Sequence, residues 1–160
     1  MRRLFVGRDP GKTLIRLAIL VGTVAFVFRF VLLPIRAQGI SMIPTLPANS
    51  LRFVNLLAYA TDDPARGDIV AIRLAGPSVV YVKRVIGLPG ERVRIAQGVV
   101  YIDDRPLAEP YVSRRAPWTA SETRLGDLEY FVIGDNREMP IESHELGTVE
   151  RRRLIGKIVF

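Results

Sequence analysis

Residues Leu17 to Phe28 read LAILVGTVAFVF, a run without a single charge. Carried out to Leu14 and Leu33 it holds 20 residues, with Arg16 and Arg29 near its two ends. At about 1.5 Å rise per residue, a helix of that length spans about 30 Å, the depth of a bilayer's hydrocarbon core. Arginines near the ends can snorkel to the headgroups. Pro34 follows and would stop or kink such a helix. A helix apolar on every side needs lipid or protein all round it, and 160 residues leave little protein to cover it. A cleaved export signal is the other alternative. It would need small residues before a cut near Ala37, where Ile35 and Arg36 stand. The run therefore reads as a retained membrane anchor over residues 14–34, behind a basic N-terminus at 1–13 and ahead of a separate body at 35–160.

Charge supports this division. The chain carries 23 Lys and Arg against 16 Asp and Glu, a net charge of +7. Residues 1–36 hold seven basic side chains and one acid, so +6 of the total sits on the anchor and its flanks. The body has only +1, too little for a nucleic-acid binder of the basic type. Arg2, Arg3, Arg8, Lys12 and Arg16 precede the run, and only Arg29 and Arg36 accompany its far end. The positive-inside rule then keeps the N-terminus cytoplasmic and puts residues 37–160 outside. Cysteine is absent and His144 is the single histidine. Disulfides, thiolate chemistry and a histidine-rich metal centre are excluded.

The body has the pattern of a mainly β chain. Short runs of Val, Ile, Tyr and Phe alternate with turn signals. Strands are expected at Leu51–Asn55, Asp68–Leu74, Val79–Ile86, Arg92–Ala96, Val99–Asp103, Glu129–Ile133 and Ile155–Val159. Gln97-Gly98 joins two alternating runs as a tight hairpin, and Leu88-Pro89-Gly90 is a further turn. The expected architecture is an antiparallel β sandwich or partly open barrel below one transmembrane helix.

Two residues invite chemistry. Ser41 lies between flexible Gly39 and restricting Pro44, just past the anchor, on backbone suited to presenting a nucleophile. Alone, it could equally be a turn residue. Lys83 interrupts the apolar run Val79–Ile86 and shares one strand face with Val79, Tyr81 and Val85. Burial would disfavour its ammonium form. A lysine base must fall from ~10.4 to about 7–8, roughly 4 kcal/mol of differential desolvation. Arginine cannot do this. A lysine snorkelling from a strand edge fits the spacing equally well.

At this point the chain resembles the bacterial type I signal peptidases, membrane-bound serine endopeptidases that work by a Ser-Lys dyad. Ser41-Met42-Ile43-Pro44-Thr45-Leu46 is similar to the family's nucleophile motif. Arg66-Gly67-Asp68-Ile69-Val70 matches the next motif, and Tyr81 to Glu91 the general-base motif. Val100–Asp104 with Glu109-Pro110-Tyr111 resembles the following hairpin and loop. Gly134-Asp135-Asn136-Arg137 opens the last motif, and Gly156-Lys157 its tail. The resemblance implies Ser41 as nucleophile and Lys83 as general base, with the Ser41 N–H donating to the oxyanion. Many members carry a serine two residues before the nucleophile as a second donor, where this chain has Gly39. Met42 would border the substrate groove or the lipid surface. Arg84, Asp135 and Arg137 would form ion pairs holding the lysine strand against the last motif. Implied substrates are the signal peptides of exported preproteins, with small residues at the first and third positions before the cut. The setting would be the outer face of the cytoplasmic membrane, with the lipid bilayer as the other partner and no metal or cofactor.

The last motif departs from the family. Glu138 and Glu142 keep negative charge at two usual Asp positions, and Ser143 is retained. Pro140 stands where a serine hydroxyl usually meets the lysine. His144 replaces an arginine, so an ion pair with Glu142 would become pH-dependent. Leu146 takes an aromatic position. A Ser41–His144–Asp135 triad is the competing arrangement. The departures leave two further readings open: an enzyme dedicated to maturing one partner, and a tethered β module that binds peptides without cutting. Arg151-Arg152-Arg153 reads as a solvated face, and Trp118 as either core or membrane interface.

Overall fold

The structure is a computed structural model describing residues 10–73, 80–144 and 147–159. Arg2, Arg3 and Arg8, the outer ends Leu74 and Val79 of two expected strands, and Leu146 lie outside them. A helix, α1, spans Pro10–Phe30 and buries none of its residues. Its 21 residues are long and apolar enough to cross a membrane. Pro10 occupies the first helical position, where the missing N–H costs nothing.

The helix ends earlier than the apolar run suggests. Strand β1 (Leu32–Ala37) begins two residues after it. Leu32 to Ala37 pair antiparallel with strand β2 (Ser50–Asn55), Pro34 opposite Phe53. Proline disfavours helix in the residue before it and is tolerated on an edge strand, which β1 is. The Phe28 ring, 6.1 Å from that of Phe53, holds the foot of the helix to the body.

The body is mainly β, as expected, in two antiparallel sheets. The other strands are β3 (Ile69–Arg73), β4 (Val80–Gly87), β5 (Arg92–Ala96), β6 (Val99–Ile102), β7 (Arg105–Pro106), β8 (Ala120–Arg124), β9 (Glu129–Ile133), β10 (Gly147–Glu150) and β11 (Leu154–Val159). One sheet runs β1-β2-β11-β3-β4-β9-β10 and the other β7-β6-β5-β8. All seven expected strands form within their described residues. β1, β7, β8 and β10 are additional. β8 reads ASETR, too polar to announce itself, and is recruited by pairing with β5. The turn at Gln97-Gly98 has φ of 49° and 77°, the left-handed pair that a two-residue hairpin needs. Asp103 and Asp104, at 47° and 66°, make a second such hairpin between β6 and β7.

Alternation along β3 divides the core. Val70 and Ile72 pack with Val85, Tyr130, Val132 and Val149 on one face of the large sheet. Ile69 and Ala71 pack on the other with Val54, Ile158, Met42 and Leu46. A third cluster, including Ile86, Val93, Val100, Trp118 and Ile133, fills the junction of the two sheets. Trp118 is therefore core. Arg151 is only half-exposed, donating to Tyr59 O at 2.8 Å and lying over the Tyr59 ring, so the arginine run is not uniformly solvated.

Candidate active site

Ser41 lies in a series of turns between β1 and β2. Hydrophobic burial just after it pins this loop: Met42 and Leu46 are 4% and 1% exposed. Turn hydrogen bonds Ile43 N–H to Ile40 O and Leu46 N–H to Met42 O shape it. The loop forms one wall of a groove of about 730 Å³. The start of β4, Val80 to Lys83, forms the opposite wall. Ser41 and Lys83, 42 positions apart, thus face one cavity, with Gly39, Met42 and Ser143 on the same lining.

Lys83 is 4% exposed. Its neighbours by alternation, Tyr81 and Val85, pack in one apolar cluster, as the period of two predicts. The next residue, Arg84, turns to the other side of the strand and grips Asp135 with two donors, Nε to Oδ1 at 2.8 Å and Nη2 to Oδ2 at 2.6 Å. Its Nη1 donates to Gly67 O at 2.7 Å, and its guanidinium lies 4.0 Å from the Tyr111 ring centroid. The fork geometry suits a carboxylate and fixes β4 against the segment after β9. Thr45 adds a hydroxyl donor to the same carboxylate, which ties in the loop carrying Ser41.

Arg137 does not share Asp135. It pairs with Glu109, Nη2 to Oε1 at 2.5 Å, and donates from Nε to Gly134 O at 2.9 Å. Both side chains are buried. Glu109 also receives the Tyr111 hydroxyl at 3.0 Å and approaches Arg115 at 3.6 Å. Burial, then the Glu109 charge, push the Tyr111 hydroxyl far above its usual range, so it remains a donor. This second network clasps the loop before β8 onto the last motif. Glu109 was visible only as part of a matching tripeptide, because nothing local tells a carboxylate that its partner lies 28 residues on.

Asn136 is the other residue that sequence reasoning passed over. Its N–H donates to Ser41 O at 2.9 Å and its Nδ2 to Ile40 O at 3.1 Å. Gly134 is required beside it: a Cβ there would fall well inside 3.0 Å of Ser41 O. The alternative triad is not assembled. Asp135 is committed to Arg84 and Thr45, and His144 Nε2 meets Asn136 O at 3.0 Å. Nor does His144 pair with Glu142: the imidazole is buried while Glu142 is exposed. The structure thus brings Gly39, Ser41, Met42, Lys83 and Ser143 to the groove, sets Arg84, Asp135 and Arg137 behind it, and leaves Glu142 at the surface.

Comparison with known proteins shows the family. The sequence profile of the family described as "Signal peptidase, peptidase S26" matches residues 11–160. A probable signal peptidase I-2 from Synechocystis is 34% identical over 156 residues, covering 93% of this chain and 70% of the relative. Signal peptidase IB of Staphylococcus aureus is 28% identical over 165 residues, covering 92% and 86%. A crystal structure of a signal peptidase I from Enterococcus faecalis V583 aligns with a TM-score of 0.48 at 28% identity, covering 61% of this chain and 98% of that one. Helix, groove and ordered motifs all fall within the matched span, and the chain belongs to the signal peptidase family of S26 peptidases.

Proposed function

We propose that this chain removes signal peptides from exported proteins with Ser41 as nucleophile and Lys83 as general base. The observation that carries the reading is the meeting of a loop serine and a buried lysine across one groove. The neutral Lys83 amine takes the Ser41 hydroxyl proton as Oγ attacks the scissile carbonyl. The Ser41 N–H donates to the oxyanion, with the loop backbone already fixed by Asn136 and so needing no reorganisation. Collapse breaks the C–N bond, and the Lys83 ammonium protonates the leaving amine. Lys83 then takes a proton from water, whose oxygen attacks the acyl-enzyme; the ester C–O bond breaks, the Lys83 ammonium returns that proton to Ser41 Oγ, and the second product leaves. The substrate lies extended in the groove between the end of β1 and the start of β4, beside Met42.

The apolar helix anchors the enzyme in the bilayer, N-terminus in the cytoplasm and groove on the extracytoplasmic side. There the substrate's own apolar segment is held close by, which raises the effective concentration of the reacting pair. The expected result is loss of precursor cleavage in both Ser41→Ala and Lys83→Ala, by on the order of a thousand-fold or more. Cleavage of an exported precursor at wild-type rate by either variant would sink the mechanism. Pro140 favours a second reading, a peptide-binding relative that does not cut, since it offers Lys83 no hydroxyl. Covalent labelling of Ser41 by an acylating probe eliminates that reading.

A further inference from the structure

His144 has a task that the dyad does not use. Its Nε2 meets the carbonyl oxygen of Asn136, and a carbonyl only accepts, so Nε2 carries the ring proton. Nδ1 is then bare, fully covered, and without a hydrogen-bond partner among the described residues. The side chain is 6% exposed. Trp118 packs edge-on against the ring with centroids 4.9 Å apart. On another side the ring meets Gly134 so closely that a Cβ there would lie 2.6 Å from His144 Cε1. The same Cβ would strike Ser41 O. Imidazole, Gly134 backbone and Ser41 carbonyl are therefore stacked without slack. Asn136 spans the same stack, with its own carbonyl on the ring and its N–H and Nδ2 on Ser41 O and Ile40 O.

We propose that His144 is a positioning residue for the nucleophile: a neutral strut that fixes Asn136, and through it the Ile40–Ser41 backbone, at the groove. The inference rests on the Ser41–Lys83 reading above. Ser41 O belongs to the residue whose Oγ must reach the scissile carbonyl, so a displaced Asn136 moves the attacking atom. A misplacement of about 1 Å can cost on the order of a hundred-fold in rate. The charged groups acting on the ring are Lys83 of β4, and Arg137 and Asp135 of the segment after β9. Arg84 already engages the carboxylate of Asp135. Imidazole can donate to Asn136 while uncharged, whereas a guanidinium brings a permanent charge and a longer side chain into the covered slot between Trp118 and Gly134.

The test uses the full chain in detergent micelles with a fluorogenic signal-peptide substrate, and His144→Ala, His144→Gln and His144→Arg alongside Ser41→Ala and Lys83→Ala. The alanine variant is expected to lose on the order of ten- to a hundred-fold in kcat with KM changed by less than about twofold. Glutamine, whose amide donates without charge, should restore most of that loss. Should the alanine variant melt below the assay temperature, the other two decide the matter: glutamine active, arginine impaired. Wild-type kcat in His144→Ala would overturn the strut. So would a glutamine variant as impaired as alanine at an unchanged melting temperature, or an arginine variant as active as glutamine. Cleavage persisting in Ser41→Ala or Lys83→Ala would instead overturn the dyad reading, a separate outcome.

Discussion

His144 is a buried base whose neutral form the fold prefers. Its pKa is lowered from 6.5 to about 4, by burial first and then by the charge of Lys83. In the unfolded chain the imidazole takes its proton near pH 6.5. Between those values unfolding therefore takes up a proton that the folded state refuses. The histidine's contribution to stability is complete above about pH 6.5 and is lost as pH falls towards 4, with a steepest slope of about 1.4 kcal/mol per pH unit. Melting temperature followed by Trp118 fluorescence should show this decline in the wild type. The increment should be missing from His144→Gln, and equal acid sensitivity of the two proteins would contradict it. Asp135 and Glu109 are buried carboxylates, each with a guanidinium beside it, Arg84 and Arg137 respectively. Removing one partner of such a pair costs about 3–5 kcal/mol, because the other charge stays buried.

Among the elements, the junction after β9 does the most positioning. Gly134 lets the Ser41 carbonyl approach, Asp135 takes Arg84 of β4, Asn136 holds the Ser41 loop, and Arg137 takes Glu109 from the loop before β8. Four consecutive residues thus contact three different parts of the chain. Gly134→Ala should force the nucleophile loop away from this junction. The expected cost is about 1–3 kcal/mol of stability, with a larger proportional loss of cleavage. A variant with wild-type melting and wild-type turnover would show the loop to be free to move. The match at Gly134 to Arg137 was legible in the sequence, but its reason was not, since the partners are remote along the chain. The ion pairs that the resemblance implied for Arg84, Asp135 and Arg137 illustrate the limit. They named no acid for Arg137 beyond Asp135, whereas the fold gives Asp135 to Arg84 and supplies Arg137 with Glu109. β8 and β1 were missed for a related reason, because their pairing partners rather than their own composition make them strands.

At the scale of the whole molecule, charge and hydropathy separate one apolar helix from a nearly neutral β body. The orientation proposed for it follows from the basic residues ahead of the helix. A reporter active only outside the cytoplasm, fused after Phe160, should be active, and its cytoplasm-specific counterpart silent; the reverse pattern would invert the topology. The chain's own composition and order determined several things: an anchor of membrane length, a mainly β body, two of the tight turns, and a serine and a lysine set in ordered motifs. These are local properties, set by hydrophobic period, turn chemistry and residue type over a few neighbouring positions. Only the tertiary structure decided that Ser41 and Lys83 line one groove, that Arg137 belongs to Glu109, and that His144 turns inward to Asn136 and not outward to Glu142. Those outcomes depend on which distant groups arrive together when sheets pack, and on the high cost of burying a charge or a donor without its partner.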